Sequence, residues 1–225
     1  MGGTDWAFIF DCDGVLVDSE PVSCAASTLT LKEHGVETDA AEMEQMIGKS
    51  YRTMLDYYAK RDQRGLDLAE FTDQVERNYF RLAEALQPMP GVAKLLAALT
   101  ERRIPLAVAS SGGYRKIEFS LEKTSLRQYF PVICSAVDVA KGKPEPDLFL
   151  YAAERLGRRP AACIVVEDSI YGVMAAKRAG MFAVAYLSSF SGEQLREAGA
   201  DCLLPDFAEF FPALQRAGIA LDGSR

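Results

Sequence analysis

Trp6-Ala7-Phe8-Ile9-Phe10-Asp11-Cys12-Asp13-Gly14-Val15-Leu16-Val17-Asp18-Ser19 passes from an apolar run to two aspartates two residues apart. The apolar run has the length and composition of a buried strand. Ligands of open α/β sheets bind at the carboxyl ends of such strands, which is where Asp11 and Asp13 fall. An unpaired carboxylate is costly to bury there, so two of them call for a cation or a shared proton.

Downstream, residues 20–86 show helical patterns and no clear strand. The strongest places Leu68, Phe71, Val75, Tyr79, Leu82 and Leu86 at intervals of 3, 4, 4, 3 and 4 residues, the spacing of one helix face. Pro88-Met89-Pro90-Gly91 breaks that pattern. Helix and strand signals then alternate: helix 91–102, strand 104–109, helix 113–124, strand 131–134, helix 145–156, strand 162–166, helix 169–179 and strand 182–186. A weak strand at 202–204 and a helix over 206–216 follow. Alternation of this kind predicts βαβ units, and so a Rossmann-like α/β fold: a parallel sheet with helices on both faces. Residues 1–19 and 87–225 form this core in the reading, and residues 20–86 form an all-helical cap inserted after the first strand.

Four predicted strand ends or loops turn polar: Asp11 and Asp13; Ser110-Ser111-Gly112-Gly113; Lys143-Pro144-Glu145-Pro146-Asp147; and Glu167-Asp168-Ser169. A parallel sheet brings them to one edge. Each also has a structural reading. Asp11 and Asp13 suit helix caps, and so does Ser110. Lys143 suits a solvated loop, and Glu167 and Asp168 suit a helix N-terminus electrostatically. None of these accounts for all four clusters at once.

In order and spacing the four clusters resemble the motifs of the haloacid dehalogenase-like hydrolase superfamily. The similarity spans nearly the whole chain and points to the helical-cap branch that contains β-phosphoglucomutase and many sugar-phosphate phosphatases. The resemblance implies that Asp11 is a nucleophile forming an aspartyl-phosphate, splitting one difficult transfer into two easier ones. Asp13 would protonate the leaving oxygen and later deprotonate water. Mg²⁺ suits hard carboxylate oxygens together with a substrate phosphate. Its expected ligands are Asp11, Asp168 and the main-chain carbonyl of Asp13, with Glu167 binding directly or supporting from behind. Ser110, Ser111 and Lys143 would hold the phosphoryl group. Asp11, Asp13, Glu167 and Asp168 bring up to four negative charges and a phosphate dianion about two more. Mg²⁺ and Lys143 offset three, and a proton on Asp13 would reduce the deficit.

In similar proteins the loop corresponding to residues 46–52 contacts substrate, making Lys49 and Arg52 candidates for a distal anion or hydroxyls; a solvated basic turn is the alternative. Cap closure would exclude water and select the leaving group. The histidine by which β-phosphoglucomutase couples closure to its acid–base aspartate has Ser23 at the aligned place here. That favours hydrolysis over a mutase reaction. A phosphometabolite-binding protein without turnover is the third reading, and it leaves Asp13 without a task.

The chain has 225 residues, 49% of them hydrophobic, enough for a large core with an insertion, and a net charge of −7. That balance argues against a nucleic-acid partner. Cys12, Cys24, Cys134, Cys163 and Cys202 are odd in number and scattered, fitting neither a disulfide framework nor a zinc site. With no basic leader before an apolar stretch and no run of about 18 apolar residues, a reduced, cytoplasmic location without a membrane span is expected. The expected partner is a small phosphorylated metabolite, and the expected state a monomer, with a dimer as the alternative. His34, the single histidine, reads as a surface or packing residue, and Cys12 as core packing.

Overall fold

β1 (Ala7–Phe10) and β2 (Val17–Asp18) precede the helices α1 (Glu20–Glu33), α2 (Ala40–Glu44), α3 (Tyr51–Asp62) and α4 (Leu68–Leu82). β3 (Gln87–Pro88) and α5 (Val92–Glu101) follow, then β4 (Leu106–Ser110), α6 (Tyr114–Lys123), β5 (Val132–Ser135), α7 (Asp147–Arg155), β6 (Cys163–Glu167) and α8 (Ile170–Arg178). β7 (Phe182–Tyr186), α9 (Gly192–Glu197), β8 (Cys202–Leu204) and α10 (Phe210–Arg216) complete the order. These elements come from a computed structural model that describes residues 6–46, 51–63 and 65–221. The chain divides into two units: one runs to Asp18 and resumes at Gln87, and the other is Ser19–Leu86.

In the first unit six strands form a parallel sheet in the order β5-β4-β1-β6-β7-β8. The chain builds outward from β1 through β4 to β5, then crosses to β6 and builds the other half. This reversal beside β1 is a topological switch point, where an open sheet leaves a crevice at its carboxyl edge. All four residues of β1 are buried, as a strand covered on both faces requires. Ala7 and Ile9 pack with Leu148, Phe149 and Ala152 of α7 and Val173 and Ala176 of α8. Alternation turns Phe8 and Phe10 to the opposite side, where Phe8 meets Phe210 at 5.4 Å and Phe10 meets Phe130 at 6.0 Å between ring centroids.

Several elements differ from the sequence reading. Val17–Asp18 and Gln87–Pro88 pair antiparallel, a two-residue ladder that periodicity has no means to reveal. α7 starts at Asp147 and not at 145, since Pro146 occupies the N-cap position. The expected helix 206–216 is a short 3₁₀ turn, Phe207–Glu209, followed by α10. α9 was not anticipated; it is short and buries only Leu195, too little for an apolar stripe.

The second unit is helical. α4 buries Phe71, Val75 and Tyr79, but its α-helix ends at Leu82. A 3₁₀ turn intervenes before Leu86, which is extended and buried, so the apolar stripe outlasts the helix. Between α1 and α4, buried Asn78 donates from Nδ2 to Thr30 Oγ1 (3.0 Å) and Glu33 Oε2 (2.8 Å). His34 has a partner that the sequence did not suggest: Nε2 lies 2.9 Å from Gln74 Oε1. Among the described residues no helix is long and apolar enough to cross a membrane.

Candidate active site

Asp11 follows the last residue of β1, and its main-chain N–H donates to the Val166 carbonyl (3.0 Å), so the turn begins while still tied to β6. Gly14 takes φ +77°, where a side chain is strained, and a Cβ there would overlap the Asp168 carboxylate. The glycine therefore serves both the bend and the close approach of Asp168.

Lys143 is the hub of the buried floor. Its Nζ donates to Asp11 Oδ1 (2.5 Å), Glu167 Oε1 (2.5 Å) and the Ala109 carbonyl (3.1 Å), and it lies 5.0 Å from the centroid of Phe149. Its side chain is 5% exposed, which removes the solvated-loop reading. Burial lowers its basicity, but Asp11 and Glu167 outweigh that and raise its pKa.

Glu167 combines two of the readings open to it. Oε1 takes Lys143, while Oε2 accepts from the N–H of Asp168 (3.0 Å), the N–H of Ser169 (2.9 Å) and the Ser169 hydroxyl (2.8 Å). It thus satisfies the entry to α8 and anchors the lysine. α8 packs against it so closely that a Cβ on Gly172 would overlap the carboxylate.

Burial pushes the Asp11 carboxyl well above its ordinary pKa, with Glu167 and Asp168 adding to the rise and Lys143 opposing it. Asp168 is pushed up to about 6, by burial first and by Glu167 next, against hydrogen bonds from Ser188 and Ser189. Both shifts come first from burial, and the crowding of carboxylates adds to them. Asp11 and Asp168 are buried hard-oxygen donors of the kind that fits Mg²⁺, which keeps several waters. Among the described residues no three Asp, Glu, His or Cys side chains converge as a ready cluster, consistent with both Glu167 oxygens being engaged.

Asp13 lies apart from this floor. Both of its oxygens accept from Lys116 Nζ of α6, each at 3.0 Å, and the two side chains are 35% and 26% exposed. Lys116 was absent from the sequence reading, since nothing in spacing links the first turn of α6 to the turn after β1. It adds a cation beside Asp13 to the charge count. Cys12, between the aspartates, is buried, and burial together with Asp13 and Asp11 pushes its thiol far from ionisation.

Ser110 is buried at the end of β4, and its Oγ accepts from the Gly112 N–H (3.1 Å). It does not cap α6, whose N-cap position is Gly113. Ser135 donates to the Gly112 carbonyl (2.6 Å), tying this loop to β5. Ser111 is exposed. Arg52 is exposed in the first turn of α3, and Lys49 lies outside the described residues.

The chain belongs to the haloacid dehalogenase-like hydrolase family, whose description it matches over residues 8–186. With phosphatases among its relatives, it is a phosphomonoester hydrolase of this family. It is 34% identical over 202 residues to the phosphorylated carbohydrates phosphatase of Thermotoga maritima, covering 88% of this chain and 93% of the relative. Hexitol phosphatase B of Escherichia coli is 30% identical over 206 residues, covering 90% and 93%. Among solved structures, a haloacid dehalogenase family hydrolase from Deinococcus radiodurans with bound phosphate and sodium superposes with a TM-score of 0.78. Its identity is 28%, covering 96% of this chain and 97% of that one.

Proposed function

We propose that this hydrolase is a Mg²⁺-dependent phosphatase of a small phosphorylated carbohydrate, a sugar or polyol phosphate, working through an aspartyl-phosphate on Asp11. The observation that carries the reading is the unequal treatment of two aspartates two residues apart. Asp11 is buried and gives one oxygen to Lys143, while Asp13 is half-exposed on a lysine of its own. A nucleophile and a proton carrier need that separation.

In the reaction the Asp11 carboxylate attacks phosphorus, and the ester oxygen departs with a proton from Asp13. Water, losing a proton to Asp13, then attacks the phosphorus and restores Asp11. Lys143 holds Asp11 in place and faces the incoming charge. The Ser110 hydroxyl and the Ser111 amide are the donors for phosphoryl oxygens, with the Gly112 amide holding Ser110 Oγ. Asp11, Asp168 and the Asp13 carbonyl would hold Mg²⁺, which would supply neutralisation of the phosphoryl charge. Glu167 acts by anchoring Lys143. Choice of leaving group is assigned to residues 20–86, Lys49 and Arg52 included, as in similar proteins.

The test is phosphate release by purified protein with Mg²⁺ over sugar phosphates, polyol phosphates, phosphogluconate and phosphoglycolate. One class stands out in kcat/KM, and Asp11→Asn lowers release by about 10³-fold or more. Parent-rate turnover by Asp11→Asn would remove the nucleophile assignment. Net phosphate from β-glucose 1-phosphate without glucose 6-phosphate separates hydrolysis from the mutase reaction.

A further inference from the structure

Asp168 is held from a direction that the four motifs do not account for. β7 ends at Tyr186, and in the loop beyond it Ser188 and Ser189 each donate their hydroxyl to Asp168 Oδ2, both at 2.8 Å. The same oxygen is the atom nearest Gly14, where a Cβ would overlap it. Oδ2 is thus fixed from two sides. Among the described residues no hydrogen bond reaches Oδ1. The two serines are themselves exposed, so burying their own polar groups does not explain their placement. A pair of hydroxyls converging on one oxygen sets the rotation of the carboxylate and leaves the other oxygen for a ligand.

We infer that Ser188 and Ser189 are positioning residues for the cation site, orienting Asp168 so that Oδ1 is presented to Mg²⁺. The inference rests on the proposed Mg²⁺ site and extends it to a loop outside the recognised motifs. Groups that orient a ligating carboxylate change metal affinity by roughly 10- to 100-fold when removed. Two hydroxyls on one oxygen share that task, so each single substitution has a smaller effect than the pair.

The experiment is Mg²⁺ titration of the full chain by calorimetry, with Mn²⁺ followed by electron paramagnetic resonance as a second probe. Both are run at mildly alkaline pH without substrate, so the readout is independent of turnover. S188A/S189A weakens Mg²⁺ binding by about tenfold or more, with the melting temperature of the metal-free protein close to the parent's. S188T/S189T, which keeps both hydroxyls, binds within about threefold of the parent on that same scale. D168N is the control for the underlying site and loses binding.

If D168N loses binding but S188A/S189A binds like the parent, the inference is overturned while the metal site stands. Equal losses in the alanine and threonine pairs also overturn it, because the hydroxyls are then not responsible. Parent-like binding by D168N removes the cation site itself, and the inference with it.

Discussion

The floor of the core site and the α1–α4 interface of the inserted unit both gather polar groups around a carboxylate, and they do so in opposite surroundings. At the interface, exposed Glu33 accepts from the amides of Asn78 and Gln74 and from Arg81, hydrogen bonds that hold its carboxyl below the usual pKa. The network joins two helices through buried Asn78. On the floor, Lys143 is shared between Asp11 and Glu167, and Asp11 and Asp168 are pushed up. A carboxylate near the surface with several donors is held acidic, whereas carboxylates crowded on a buried floor are pushed toward the protonated form.

Removing Lys143 breaks the comparison most sharply. Lys143→Met leaves Asp11 and Glu167 buried against each other, with an expected loss of about 3–5 kcal/mol in denaturant unfolding, and phosphate release disappears. Asn78→Ala in the inserted unit has a smaller expected cost, about 1–3 kcal/mol. It removes the amide donor to Thr30 Oγ1 and one of the donors to Glu33, and unfolding curves followed by circular dichroism measure the loss. Lys116→Met changes stability by less than about 1 kcal/mol, since its pair with Asp13 is partly exposed. A loss as large as that at Lys143 would show that the rim is as desolvated as the floor.

The smallest effect is the pH response of Glu33. Its folded pKa lies below the ordinary glutamate value, so the stabilisation is present above that ordinary value and fades as pH falls through the folded pKa. The group is largely solvated, which keeps the effect small. Thermal melting of Glu33→Gln and parent should therefore converge once the pH has fallen below the folded pKa; a difference persisting into acid would mean that packing, not ionisation, joins the helices.

The strands and four polar clusters were legible because each depends on near neighbours in sequence: an apolar run, then a polar residue where the strand stops. Lys116 and the Ser188–Ser189 pair were not, because their partners lie across loops and no spacing encodes that encounter. α9 carried one readable sign, the Ser191–Gln194 capping box, a pattern expected at helix starts, but a six-residue helix with one buried side chain lacks periodicity. Glu167 was legible as an acidic residue at a helix start and, through the family resemblance, as a partner of the metal. Its second role depends on Lys143 arriving from another loop.

The ladder in which Val17 faces Pro88 and Asp18 faces Gln87 makes residues 19–86 the loop of one long hairpin. Closing such a loop costs only about 0.6 kcal/mol more for each doubling of its length. Segments of very different size can be exchanged at this junction while the sheet, and the register that aims Asp11, stay as they are. The inserted unit is therefore free to diverge, or to be swapped in the laboratory, on a schedule of its own.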